Sequence, residues 1–216
     1  MSAAFEITGF LMGLAGWMLT GSTLANNYWK ISTVYGSVIT SSRLYENLWK
    51  SCAQDSTGVF NCRMFETMLG LPAYVQACRA LMIIAIILGV ISSVLTLFGL
   101  KCTSIGNMDE TVKAKIAVTG GIIYILAGLC GIVPVSWYAY SITMDFYNPI
   151  YGGTKYELGS ALYIGWAGSA LLILGGSFLC CSCKKAKKDG GYKYSAAHSG
   201  QRIYTKTESA QSKAYV

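Results

Sequence analysis

Residues 26–79 read NNYWKISTVYGSVITSSRLYENLWKSCAQDSTGVFNCRMFETMLGLPAYVQACR. A connection this long without structure of its own is uncommon in a compact chain. Trp29, Trp49, Cys52 and Cys62 mark it as folded, and the cysteines place it in an oxidising space. It alternates as strands do. Trp29, Ile31 and Thr33 fall on one side, with Lys30 and Ser32 on the other. Tyr35-Gly36-Ser37 reads as a turn and Val38-Ile39-Thr40 as a return strand. A third strand is expected over Tyr45 to Ala53 and a fourth over Val59 to Arg63, with turn residues Gln54 to Gly58 between. That hairpin brings Cys52 and Cys62 within reach of a disulfide, worth roughly 2–3 kcal/mol for so short a ring. From Phe65 to Cys78 the pattern turns helical.

On either side the chain is membrane-like. It has 216 residues, 53% hydrophobic and only 12% charged, against about a quarter charged in a soluble domain. Four runs reach the roughly 20 apolar residues that a bilayer crossing needs: 7–25, 80–100, 116–140 and 158–181. They leave a first outer loop (26–79), a second (141–157) and a polar tail (184–216). Lys184, Lys185, Lys187 and Lys188 follow the fourth run, and Lys101, Lys113 and Lys115 lie between the second and third. These dense clusters put both termini in the cytosol and the long loop outside. The formal charge of +7 sits largely in the tail, where a positive-inside anchor explains it better than nucleic-acid binding. A rival reading cleaves 7–25 as a signal peptide at Thr23-Leu24-Ala25. Glu6, and the absence of Lys or Arg before the run, oppose it.

No span carries Asp, Glu, Lys, Arg or His in its interior. Pumps, proton-coupled carriers and voltage sensors depend on such groups. Intramembrane hydrolysis would need paired aspartates or a metal cluster, and the single histidine, His198, lies in the tail. The chain is therefore read as no enzyme, with no cofactor and no metal. Gly9, Gly13 and Gly16, Gly128 and Gly131, and Gly165 and Gly168 instead suit close helix packing, within one bundle or between two copies. Cys102, Cys180, Cys181 and Cys183 lie at cytosolic membrane edges. Palmitoylation suits them, and unreactive thiols and metal ligation are the alternatives.

Four spans with a first loop carrying Trp29, Asn47-Leu48-Trp49, Cys52, Cys62 and Arg79 closely resemble the claudins, the tetraspan membrane proteins of tight junctions. Gln76-Ala77-Cys78-Arg79, Ser136-Trp137-Tyr138-Ala139 and Lys155-Tyr156-Glu157-Leu158-Gly159 agree in place, and the likeness reaches to about Cys183. It is strongest to the pore-forming branch of claudin fifteen and claudin ten. The resemblance implies an all-α, left-handed four-helix membrane bundle carrying a small extracellular β-sheet, with a last strand from the second outer loop. It also implies polymerisation into strands, alone or with other claudins, both within one membrane and across to the next cell. Met68 would dock in a neighbour's pocket lined by Phe146 and Leu158, and Met68 packing on its own domain is the alternative. Phe146-Tyr147-Asn148-Pro149 would meet the opposite cell, although Tyr147 and Asn148 depart from the commoner Phe and Asp.

The terminal Ala214-Tyr215-Val216 offers a carboxylate and an apolar side chain of the kind PDZ domains bind. With the resemblance, it implies zonula-occludens scaffold proteins as partners. If the loops line a path for small inorganic ions between cells, position matters more than bulk charge. By the resemblance, Asp55 corresponds to the acid of the cation-selective relatives, and Asp55 merely capping a turn is the alternative. One such charge biases cation over anion by about fivefold, with Glu46 supporting it and Arg63 opposing it. A purely barrier or adhesive tetraspan, an anion-preferring pore and an auxiliary channel subunit are the other readings.

Overall fold

The computed structural model describes residues 3–33, 42–65, 67, 70–100, 109–150 and 154–181. Its elements follow the chain as α1 (Ala3–Ala25), β1 (Lys30–Ser32), β2 (Ser42–Glu46), β3 (Lys50–Asp55), β4 (Phe60–Met64), α2 (Ala73–Gly99), α3 (Glu110–Tyr147), β5 (Tyr156–Leu158) and α4 (Ser160–Cys181). All four helices are long and apolar enough to cross a membrane. The fold class is the expected one, a membrane-type helix bundle with a small antiparallel sheet.

The bundle is held by backbone proximity. A methyl group on Gly175 would stand 2.6 Å from the Gly13 nitrogen, and one on Gly16 would stand 2.7 Å from the Gly168 carbonyl oxygen. Gly128 opposes the Ser169 carbonyl in the same way, at 2.9 Å. The glycines singled out in α1, α3 and α4 thus serve packing inside one chain. Polar groups in the bundle bond within their own helix or to the helix beside it, and among the described residues Ser169 Oγ is buried without a partner. Ser92 Oγ donates to the Gly120 carbonyl at 2.5 Å, and Thr20 Oγ1 donates to Gly16 at 2.9 Å. Such bonds leave hydroxyls satisfied where lipid offers no partner.

The sheet runs β4-β3-β2-β1-β5, every neighbour antiparallel. The second outer loop therefore completes a sheet begun by the first. Gly159 makes this closure possible. It donates to the Trp29 carbonyl at 2.9 Å, and any Cβ there would overlap the Tyr28 carbonyl.

Four expectations from sequence change. The segment Tyr45 to Ala53 is not one strand. It divides into β2 and β3, with Asn47-Leu48-Trp49 as the turn. The Asn47 side chain replaces the usual turn glycine, its Oδ1 accepting from the Trp49 and Lys50 amides at 2.8 Å each. The described residues between Phe65 and Pro72 are not helical, and the helix starts at Ala73, directly after Pro72. Residues 141–147 are not loop. They continue α3, whose 38 residues extend about 57 Å, well past a hydrocarbon core of about 30 Å. Ile142, in this extension, is buried in the core cluster that also holds Trp29, Tyr138 and Leu162. Leu158 ends β5 and does not open the fourth helix. The proposed return strand at Val38-Ile39-Thr40 lies outside the described residues.

Candidate functional site

Trp29, Asn47, Leu48, Trp49 and Arg79 meet where the sheet joins the bundle. Trp29 and Leu48 are wholly buried. The Trp29 indole donates to the Thr23 carbonyl in α1 at 2.8 Å and meets the Tyr138 ring of α3 edge-on at 5.2 Å. Arg79, in the second turn of α2, is 8% exposed. Its Nε donates to the Leu48 carbonyl at 2.6 Å, and its guanidinium lies 4.7 Å from the Trp49 ring centroid. One cation thus caps the β2–β3 turn by a charge-assisted hydrogen bond and by its own flat face. Asn47 Nδ2 donates to Asn27 Oδ1 at 3.1 Å, tying the same turn to the chain leaving α1. This constellation is an anchor that fastens sheet to membrane helices.

The Cys52–Cys62 disulfide joins β3 to β4, at positions directly opposite in register. Cys52 is buried, and β4 is exposed along its length. The hairpin between them turns at Gly58, whose φ of +82° lies in the left-handed region that glycine adopts without strain.

Because paired residues share a face, register sorts the charges. Arg63, Ser51, Glu46, Lys30 and Leu158 form one row across the sheet, and Asp55 projects on that same face beside Ser42. The three residues singled out for charge selectivity thus share a surface, but their surroundings differ. Asp55 is exposed at the outer end of β3. Its Oδ1 accepts from the Ser56 amide at 2.7 Å, and among the described residues it makes no ion pair. Glu46 is paired with Lys30 at 2.5 Å, and its Oε1 accepts from Ser51 Oγ at 3.2 Å and from the Tyr156 hydroxyl at 3.3 Å. Arg63 is exposed on β4, one strand over and four residues back from Asp55, about 14 Å away. That exceeds the screening length of about 8 Å at physiological salt, so the two charges act separately.

Sequence reading missed Lys30 and Tyr156. Knowing that β1 pairs with β2 in this register would have exposed Lys30, but the expected pairing ran to 38–40.

Among the assembly residues, Phe146 is half-buried in the last turn of α3, with the Lys155 ammonium 5.4 Å from its ring centroid. Leu158 packs against the Trp29 cluster. Tyr147 is 77% exposed, and Asn148 Oδ1 accepts from the Ile150 amide at 3.0 Å through the turn at Pro149. Met68, Cys102, Cys183 and Ala214-Tyr215-Val216 lie outside the described residues. Cys180 is half-buried and Cys181 exposed at the end of α4.

A model of the PMP-22/EMP/MP20/Claudin family matches residues 3–179. The chain is 56% identical to Claudin-15 of Mus musculus over 189 residues, 86% of this chain and 83% of that protein. It is 49% identical to Claudin-10 of Homo sapiens over 205 residues, covering 95% and 90%. It is 42% identical to Claudin-7 of Rattus norvegicus over 217 residues, covering 100% and 99%.

Proposed function

Because the chain belongs to the PMP-22/EMP/MP20/Claudin family, we propose that it is a strand-forming tight-junction claudin that seals the space between cells and opens a cation-preferring path through it. It is a structural membrane protein and not an enzyme. Its selectivity belongs to the outer sheet, because Asp, Glu, Lys and Arg in the described spans stand toward the helix ends, as Glu6, Arg79, Glu110 and Asp145 do. The observation that carries the reading is Asp55, an exposed carboxylate with no ion-pair partner among the described residues, on the face where Glu46 is already neutralised. A fixed negative charge there attracts cations and repels anions.

Lateral assembly through Met68 in a pocket of Phe146 and Leu158, and contact with the opposite cell through Phe146-Tyr147-Asn148-Pro149, complete the proposal. The exposure of Tyr147 supports the second contact. Both termini lie in the cytosol, where Ala214-Tyr215-Val216 engages zonula-occludens PDZ scaffolds. Cys102, Cys180, Cys181 and Cys183 take palmitate at the inner leaflet.

A second reading, anion preference, draws on Arg63, exposed on the same face. Dilution potentials across an epithelial monolayer expressing the full chain decide between them. Asp55→Asn lowers the sodium-to-chloride permeability ratio if Asp55 sets selectivity. An unchanged ratio, together with a rise on Arg63→Gln, transfers the role to Arg63. Freeze-fracture of non-epithelial cells tests strand formation. Without intramembrane strands at contacts, the chain is an adhesive tetraspan or an auxiliary channel subunit.

A further inference from the structure

Glu46 lies on the face proposed to line the path, yet its charge is used locally. Lys30 Nζ stands 2.5 Å from Glu46 Oε2 and 4.4 Å from the Tyr156 ring centroid. Glu46 Oε1 accepts from Ser51 Oγ and from the Tyr156 hydroxyl. Both oxygens are engaged, and the two charged side chains are only 21% and 20% exposed. A carboxylate held against an ammonium presents a dipole to a passing ion, and a dipole's potential falls faster with distance than that of a single charge. The three residues also come from three strands. Lys30 is on β1, Glu46 on β2 and Tyr156 on β5.

We infer that Lys30 is a specificity-determining residue, one that mutes cation preference by masking Glu46 and that latches β5, the strand of the second outer loop, onto the first. This rests on the outer sheet lining an ion path, as proposed above. Removing the ammonium alone uncovers a carboxylate and loosens β5. Removing Glu46 alone uncovers an ammonium. Selectivity therefore moves in opposite directions for the two partners, an outcome that general damage to the sheet does not produce.

The test uses the full chain in an epithelial monolayer with dilution potentials. Lys30→Gln raises the sodium-to-chloride permeability ratio about two- to fivefold, and Lys30→Arg, which keeps the charge, restores it. Glu46→Gln lowers the ratio, and the double variant Lys30→Gln/Glu46→Gln returns it close to the starting value. A ratio that stays level or falls in Lys30→Gln overturns the inference.

Asp55→Asn, run in parallel, separates the two proposals. If Asp55→Asn is flat while Lys30→Gln rises, the Asp55 reading fails and the mask stands. If Asp55→Asn falls while Lys30→Gln is flat, the mask fails and the Asp55 reading stands. Hydrogen exchange on the purified full-length protein tests the latch without any conductance. Lys30→Gln speeds exchange of the β5 amides while β3 and β4 keep their protection, and unchanged β5 exchange overturns the latch.

Discussion

The helix bundle and the outer sheet are stabilised by opposite means. In the bundle, backbones approach so closely that a single methyl at Gly175 or Gly16 meets backbone atoms of the facing helix. Hydroxyls such as those of Thr20, Ser92 and Thr96 bond to carbonyls there, and described ionisable side chains such as Glu6 and Arg79 stand toward helix ends. The sheet buries few side chains of its own and is held by a disulfide, an ion pair and a buried arginine at its root. Lipid explains the contrast. It rewards close packing of small residues and penalises unpaired charge, whereas water screens charges and lets them be displayed. A protein of this design keeps its shape in one region and its ionic chemistry in the other.

The largest expected effect lies at the junction. Arg79→Ala removes a buried charge-assisted hydrogen bond and a guanidinium–indole contact, and strands the Leu48 carbonyl. It should cost about 3 kcal/mol, seen as a lowered unfolding midpoint of the purified protein. If the two regions are as separate as described, the helices still form and the outer sheet becomes protease-sensitive.

Next comes the disulfide. Replacing Cys52 and Cys62 together by Ser should destabilise the sheet by about 2–3 kcal/mol, with faster hydrogen exchange in β3 and β4. Helix exchange should stay unchanged, and a matching rise there would break the comparison.

Gly175→Ala tests the other region. Its new methyl meets backbone of α1 at Gly13 and Gly9, so the helices must part, at about 1–3 kcal/mol. Thermal unfolding in detergent should detect the loss, while the permeability ratio of whatever protein reaches the junction should stay unaltered.

The smallest effect on stability belongs to Asp55→Asn, because Asp55 is exposed and its carboxylate hydrogen-bonds only to the adjoining Ser56 among the described residues. The unfolding midpoint should not move, while the sodium-to-chloride ratio falls about fivefold. Stability and selectivity thus part company at one residue, which is the sharpest form of the contrast.

Much of this was legible from residue order because the underlying signals are local. A span is a run of apolar residues, and Cys52 and Cys62 flank turn material that any hairpin would fold back. Asn47-Leu48-Trp49 was recognisable as a motif but misread as strand interior. It contains no glycine or proline, and its turn depends on the Asn47 side chain and on Arg79, 31 residues beyond Leu48. The extension of α3 to Tyr147 was likewise hidden. Ser141, Thr143 and Asp145 are polar, and only the fold shows Ile142 buried in the same core cluster as Trp29.

The sequence by itself determined that the chain has four apolar spans, a folded disulfide-bearing loop and no ionisable group within a span. Each of these follows from composition over a short window. Only the tertiary structure decided which charges on the outer sheet are paired with each other among the described residues. Lys30 and Glu46 are 16 residues apart, and antiparallel register across two strands sets them face to face, with Tyr156 arriving from β5 to complete the group. A charge's reach depends on its neighbours within a few ångströms, and in a sheet those neighbours come from other strands.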